Sequence, residues 1–141
     1  MTNPPATPAP TFSPGFRLSS LDIAILIIGC LGGVSLLWIE RWLAIAVWYV
    51  VAHFFLFCNV LRMARSLELV WAVIFVCLAA TAATLSWIPW PAVFGGSLLT
   101  TALIATIEAR KPSYHGVGWQ RLNPNLPEWW RTNRASSTHN R

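Results

Sequence analysis

Charged residues are scarce in this chain of 141 residues. Asp, Glu, Lys and Arg make up 11% of it, while 55% is hydrophobic. A soluble domain of this length needs more polar surface than that and buries its apolar residues in stripes. Here whole stretches of about a membrane thickness carry no charge on any face, which indicates a membrane protein.

The sequence also lacks the motifs of soluble enzymes and metal proteins. Cys30, Cys58 and Cys77 lie singly within apolar stretches, without CxxC spacing or a histidine pair. G-x-S-x-G, H-E-x-x-H and phosphate-binding glycine loops are missing. We therefore predict no catalytic residues and no metal site, and the sequence does not identify a cofactor. The ten basic residues lie between the apolar stretches and in the C-terminal tail, so we expect no nucleic-acid binding.

Four apolar stretches predict an all-α fold, an integral membrane four-helix bundle. The transmembrane domain covers residues 19–111, with spans at about 21–39, 42–61, 67–87 and 92–108. Ser19 and Asp22 form a capping-box pattern at the first helix, and Pro89 and Pro91 break the chain before the fourth.

The two ends of the chain differ in composition from these spans. Residues 1–18 are rich in proline and predict a disordered tail, without the basic start and short apolar region of a secretory signal. Residues 112–141 predict an irregular aromatic and basic tail, in which Trp119, Trp129 and Trp130 anchor to the membrane interface. Basic residues near the helix ends favour one side, so both termini are expected in the cytoplasm, with a bacterial plasma membrane as the simplest location.

His53 lies near the middle of the second stretch, where a charged group would be costly. One interpretation makes it the ligand of a haem or pigment, or a proton carrier. The other, which we weight more, is a neutral imidazole that hydrogen-bonds to another helix.

Polar and small residues supply two further sets of candidates. Several polar residues are expected at the cytoplasmic ends of the helices, where an acidic side chain could pair with Arg62 or an anion could bind. The other interpretation, which we weight more, is that these residues orient the chain and snorkel at the interface. This polar cluster comprises Asn59, Arg62, Arg65, Glu68 and Glu108. Small residues at GxxxG-like spacing predict close helix packing, within the chain or with other subunits, and they are Gly29, Gly33, Ala79, Ala83 and Gly96.

Three functions remain open from the sequence. The first is an accessory or assembly subunit, which contacts membrane lipids and either a membrane-protein partner or further copies of itself. The second is a haem- or pigment-binding redox subunit that uses His53. The third is a small transporter.

Overall fold

The computed structural model describes residues 12–85 and 87–133, and the regular secondary structure of these residues consists of helices and no strands, as the all-α prediction requires. Four long helices come first, followed by two short ones. They are α1 (Ser20–Leu36), α2 (Arg41–Phe55) with a π-helical continuation (Leu56–Leu61), α3 (Arg65–Leu85), α4 (Trp90–Ala109), α5 (Trp119–Leu122) and α6 (Leu126–Asn133).

The long helices begin and end close to the predicted boundaries. Ser19 caps α1, because its hydroxyl accepts from the backbone N–H of Asp22 while the Asp22 carboxylate accepts from the backbone N–H of Ser19 at 2.7 Å. α1 ends at Leu36 rather than near 39, and the Glu40 side chain accepts from the backbone N–H of Trp42 to start α2. Pro89 is the N-cap of α4.

The four long helices form two hairpins, in which α1 packs on α2 and α3 packs on α4. At one end of the molecule, here called the hairpin end, Trp42 at the start of α2 stacks on Trp90 at the start of α4, with ring centroids 6.4 Å apart. The opposite end carries residues 12–18 and 112–133, which together are called the cap.

Three of these helices are long and apolar enough to cross a membrane, by length and composition, within the described residues. They are the segments Arg41–Leu61, Arg65–Leu85 and Trp90–Ala109. α1 is apolar but shorter, with 17 residues.

α2 does not end as a regular α-helix. Its last residues form a π-helical segment, after which the backbone N–H of Met63 bonds to the Phe57 carbonyl and Arg62 adopts a left-handed conformation with φ of 49°. The carbonyls of Asn59 and Val60 then accept bonds from the backbone N–H groups of Arg17 (3.2 Å) and Val117 (2.8 Å). The π-helical segment therefore binds both parts of the cap.

The cap orders parts of both predicted tails. Residues 1–11 and 134–141 lie outside the described residues, but residues 12–18 contact the rest of the protein. The backbone N–H of Gly15 bonds to the His115 carbonyl at 2.8 Å, and Phe12 packs edge-on against Trp119 and Trp130. Where the sequence predicted an irregular tail, the helices α5 and α6 form. Trp119 of α5 and Trp130 of α6 both pack against Phe12, which lies more than 100 residues earlier in the chain.

The glycines that were predicted to pack closely differ in how near their neighbours lie. A side chain at Gly29 would overlap Val51, and one at Gly33 would overlap the indole of Trp48, so both glycines allow α1 to approach α2. Gly96 of α4 faces Leu78 of α3 with more room.

Candidate functional site

His53 lies in a cluster of aromatic rings where α2, α3 and α4 meet, and only 7% of its surface is exposed. Its imidazole stacks on the indole of Trp71 with centroids 4.6 Å apart and planes 11° apart. Tyr49 lies one turn earlier on α2, with a centroid distance of 4.1 Å, and Phe57 approaches edge-on at 5.6 Å. Phe75 stacks on the same indole at 5.3 Å, so aromatic rings enclose the imidazole.

The hydrogen bond of His53 determines which of its ring nitrogens carries the proton. Nδ1 lies 2.9 Å from the Tyr49 carbonyl, which can only accept, so Nδ1 carries the proton. Nε2 of the neutral ring then presents a lone pair, and this buried atom has no hydrogen-bond partner among the described residues. Among the described residues, the expected bond from His53 to another helix is therefore not formed, because Nδ1 bonds to a carbonyl of its own helix and Nε2 has no partner.

A polar network beside His53 connects the two hairpins. The Tyr49 hydroxyl lies 2.8 Å from the Ser97 hydroxyl and donates toward the Phe94 carbonyl at 3.2 Å. The indole N–H of Trp71 donates to the Thr101 hydroxyl at 2.9 Å, and that hydroxyl donates to the Ser97 carbonyl at the same distance. Interhelical bonds of this kind stabilise membrane proteins by about 0.6 kcal/mol on average.

The residues around His53 are only partly evident from the sequence. Tyr49 lies four residues before His53 and therefore shares its helix face, whereas Trp71 and Ser97 lie in apolar stretches without a feature that links them to His53. One signal was available, since Ser97 and Thr101 are four residues apart and therefore share a face of α4.

The residues of the predicted polar cluster have different contacts among the described residues. Arg62 donates to the Ser13 carbonyl at 2.5 Å rather than to an acidic side chain. Glu108 is buried and pairs with Lys111 at 2.6 Å. The Cys58 thiol points to the Glu68 carboxylate at 3.8 Å, and Arg65 is exposed at the first residue of α3.

Asn59 acts as a structural link between α2 and the start of α1. Its side chain is 1% exposed, and its amide nitrogen donates to the Arg17 carbonyl and, at 3.0 Å, to the Asp22 carboxylate.

Burial, and then the nearby positive charge of Arg17, lowers the pKa of Arg62. The positive charges of Arg17 and Arg62 therefore repel each other at this end of the molecule.

The tail tryptophans differ in their surroundings. Trp119 and Trp130 contact Phe12, and Trp130 also packs edge-on against His115 at 6.1 Å. Trp129 is half-buried on α6. Their predicted anchoring in a membrane interface stays a prediction.

Tyr114 is the buried centre of the cap, and its hydroxyl donates to the Val117 carbonyl at 2.8 Å. Burial raises the pKa of Tyr114, and the negative charge of Glu108 raises it further. A proton on the phenol is therefore part of the folded cap.

A wide apolar groove of about 420 Å³ opens between α2 and α3, toward the hairpin end. Its lining is entirely apolar, and small side chains form much of its floor. Ala46 comes from α2, whereas Ala79, Ala80 and Ala83 come from α3. Trp90 of α4 also lines it. The predicted packing residues Ala79 and Ala83 thus lie in an open groove.

The described residues contain no group of three or more His, Cys, Asp or Glu side chains arranged to hold a metal ion. The chain matches no family model, no curated protein and no solved structure.

Proposed function

We propose that this chain is a four-span membrane protein that serves as an accessory or assembly subunit, and that its apolar groove binds a transmembrane helix of the partner. The observation that carries the proposal is the groove itself. It combines an opening between two hairpins with a floor of alanine side chains.

Membrane insertion is supported by the length and surface of the helices. α1 is about 25 Å long at about 1.5 Å per residue, against a hydrocarbon core of about 30 Å, and Leu37 and Ile39 extend its apolar length. Large apolar side chains are exposed on all four long helices, with Ile28, Val50 and Leu99 as examples. In water such a surface would be costly, whereas lipid solvates it.

The dimensions of the groove fit a helix. Its walls run from Leu43 to Val51 on α2 and from Phe75 to Ala83 on α3, which is about 12 Å or two helical turns. Helices associate in lipid through van der Waals packing, and small residues allow their backbones to approach closely. The alanine floor therefore favours a partner helix, and the apolar lining favours one with an apolar contact face.

The experiment fills the groove and follows the partner. The tagged chain is extracted from its native membrane in mild detergent, and co-purifying proteins are quantified by mass spectrometry. Ala80→Leu and Ala83→Leu each add bulk at an exposed position of the groove. We expect both to reduce a stoichiometric membrane partner strongly. Ala102→Leu, on the exposed surface of α4, is the matched control and should retain it.

Two results would count against this proposal. One is that the wild-type chain repeatedly purifies without a stoichiometric partner. The other is that the Ala102→Leu control and the groove variants lose the partner equally. If the partner proves to be a second copy of this chain, cross-linking will give a dimer that Ala83→Leu abolishes, and the accessory function must be abandoned.

A second candidate function, ligation of a haem or pigment, is favoured by the buried lone pair on His53 Nε2. A backbone hydrogen bond at Nδ1 is the usual way in which a protein prepares Nε2 as a ligand. A preparation with visible absorption that is lost in His53→Ala, but kept in His115→Ala, would support it. A colourless wild-type preparation from the native membrane would contradict it.

A further inference from the structure

Two exposed segments of the cap combine an arginine with large apolar side chains. In the first, Phe16 and Leu18 flank Arg17, and all three side chains are exposed. In the second, exposed Arg121 lies next to exposed Leu122 on α5. Neither arginine forms an ion pair with another residue in the described part of the chain. Single exposed hydrophobic residues are common, but here both segments repeat the same amphipathic combination.

The fold holds these segments at the same end of the molecule. The bond from Gly15 to His115 joins the two parts of the cap, and Phe12 contacts Trp119 at the start of α5 with ring centroids 5.9 Å apart. Both parts also bond to adjacent carbonyls of α2, as described above. Arg17 and Arg121 are therefore presented by one structural unit.

Contacts with α2 fix where the first segment lies along the axis of that helix. Phe16 packs against Phe55 with ring centroids 5.9 Å apart, and Phe55 precedes the end of the π-helical segment by six residues, or about 9 Å. The backbone N–H of Arg17 bonds to Asn59, nearer the helix end. In the four-span arrangement, on which this inference rests, Phe16 lies at the edge of the hydrocarbon core and Arg17 at the headgroups.

The charges around Arg17 favour the binding of an anion. Arg62 lies close enough for the two positive charges to repel each other, which contributes to the lowered pKa of Arg62. Asp22, whose carboxylate also feels the charge of Arg17, is already held by the Ser19 hydroxyl at 2.6 Å. A phosphate group here would relieve the repulsion between the guanidinium groups.

We infer that the cap binds the phosphate headgroups of anionic membrane lipids through Arg17 and Arg121, with Phe16 and Leu122 inserted beside the lipid chains. Guanidinium groups bind phosphate oxygens with paired hydrogen bonds. Each basic residue near an anionic leaflet contributes about 1 kcal/mol, or about fivefold in affinity.

The test uses the purified full chain in mild detergent, titrated with phosphatidylglycerol or phosphatidylcholine and followed by native mass spectrometry. We expect phosphatidylglycerol to bind more tightly. Arg17→Gln and Arg121→Gln should each weaken its binding about fivefold and leave phosphatidylcholine binding unchanged. Arg41→Gln removes an exposed arginine at the hairpin end and should have no effect, because the negative charge of the adjacent exposed Glu40 already disfavours a phosphate there. Circular dichroism checks that each variant is folded.

The outcomes separate this inference from its alternatives. Equal binding of both lipids, or an equal loss in Arg41→Gln, overturns it. Displacement of phosphatidylglycerol by inorganic phosphate also overturns it, because the site would then recognise a free anion. Recovery of the chain outside the membrane fraction refutes the proposed function first. If instead Ala83→Leu loses the partner while the two lipids bind equally, only the lipid inference fails.

Discussion

Gly33 and Gly32 provide a matched pair of substitutions that tests how α1 packs on α2. The Cβ atom of an alanine at Gly33 would overlap the Trp48 indole, whereas one at Gly32 would meet no atom within 4 Å. Both positions lie in α1, so both substitutions gain helix propensity of about 0.5–1 kcal/mol. They differ in the space around the new methyl group.

The expected magnitudes follow from that difference. Gly32→Ala should stabilise the protein by about 0.5–1 kcal/mol. Gly33→Ala must also displace the Trp48 ring, at an overpacking cost of about 1–3 kcal/mol. The displacement strains the bond from the indole N–H to the Cys30 carbonyl, now 3.3 Å. We therefore expect Gly33→Ala to be less stable than Gly32→Ala by about 1–3 kcal/mol.

The assay is reversible unfolding of the purified chain in mild detergent, driven by a denaturing detergent and monitored by circular dichroism. The tryptophan emission, to which Trp48 is one of nine contributors, should shift in Gly33→Ala but not in Gly32→Ala. Equal stability of the two alanine variants would refute the reasoning, since it would mean that Trp48 does not pack against Gly33.

Three further predictions concern the interior and the cap. Trp71→Phe should destabilise the protein, and a double-mutant cycle with Thr101→Val should give a coupling energy of about 0.6 kcal/mol, at most about 1.7, in the same unfolding assay. Because the pKa of Tyr114 is raised in the folded state, its contribution to stability is complete below about pH 10 and is lost as the pH rises further. Unfolding measured from pH 8 to 11 should show this loss, and Tyr114→Phe should reduce it. Phe12→Ala should accelerate hydrogen exchange at the backbone N–H of Val117, which joins the cap to the Val60 carbonyl of the π-helical segment.

Each of these has an outcome that would contradict it. A coupling energy of zero would mean that the indole of Trp71 and the hydroxyl of Thr101 do not interact. An unchanged pH profile in Tyr114→Phe would assign the alkaline loss to other groups. Unchanged exchange in Phe12→Ala, measured by mass spectrometry, would show that the aromatic contacts do not hold the cap closed.

The long helices could be predicted from sequence because their signals are local. Runs of about twenty residues without charge end at Glu40, Arg62 or the Pro89 break, and Ser19 with Asp22 defines a start. The glycine pair of α1 predicted close packing, but its spacing does not say that Trp48 and Val51 are the neighbours. That choice depends on the relative rotation of two helices.

The π-helical segment and the cap could not be predicted, since their causes are far away in the chain. The sequence of Leu56–Leu61 contains no proline or glycine, and its carbonyls are bonded by residues 17 and 117. The environment of His53 was predicted only in part. The position of His53 near the middle of α2 and its π-helical continuation follows from the apolar stretch around it, whereas the stacking on Trp71 depends on how the two hairpins meet.

The cap also imposes an order on the biogenesis of this protein. Ribosomes make residues 12–18 before any of the helices, yet their partners His115, Trp119 and Trp130 are made after all four long helices. Until then, the Asn59 and Val60 carbonyls cannot both have their final partners. The cap therefore cannot close before the residues that follow α4 have been made, and a closed cap distinguishes such a chain from one interrupted after α4.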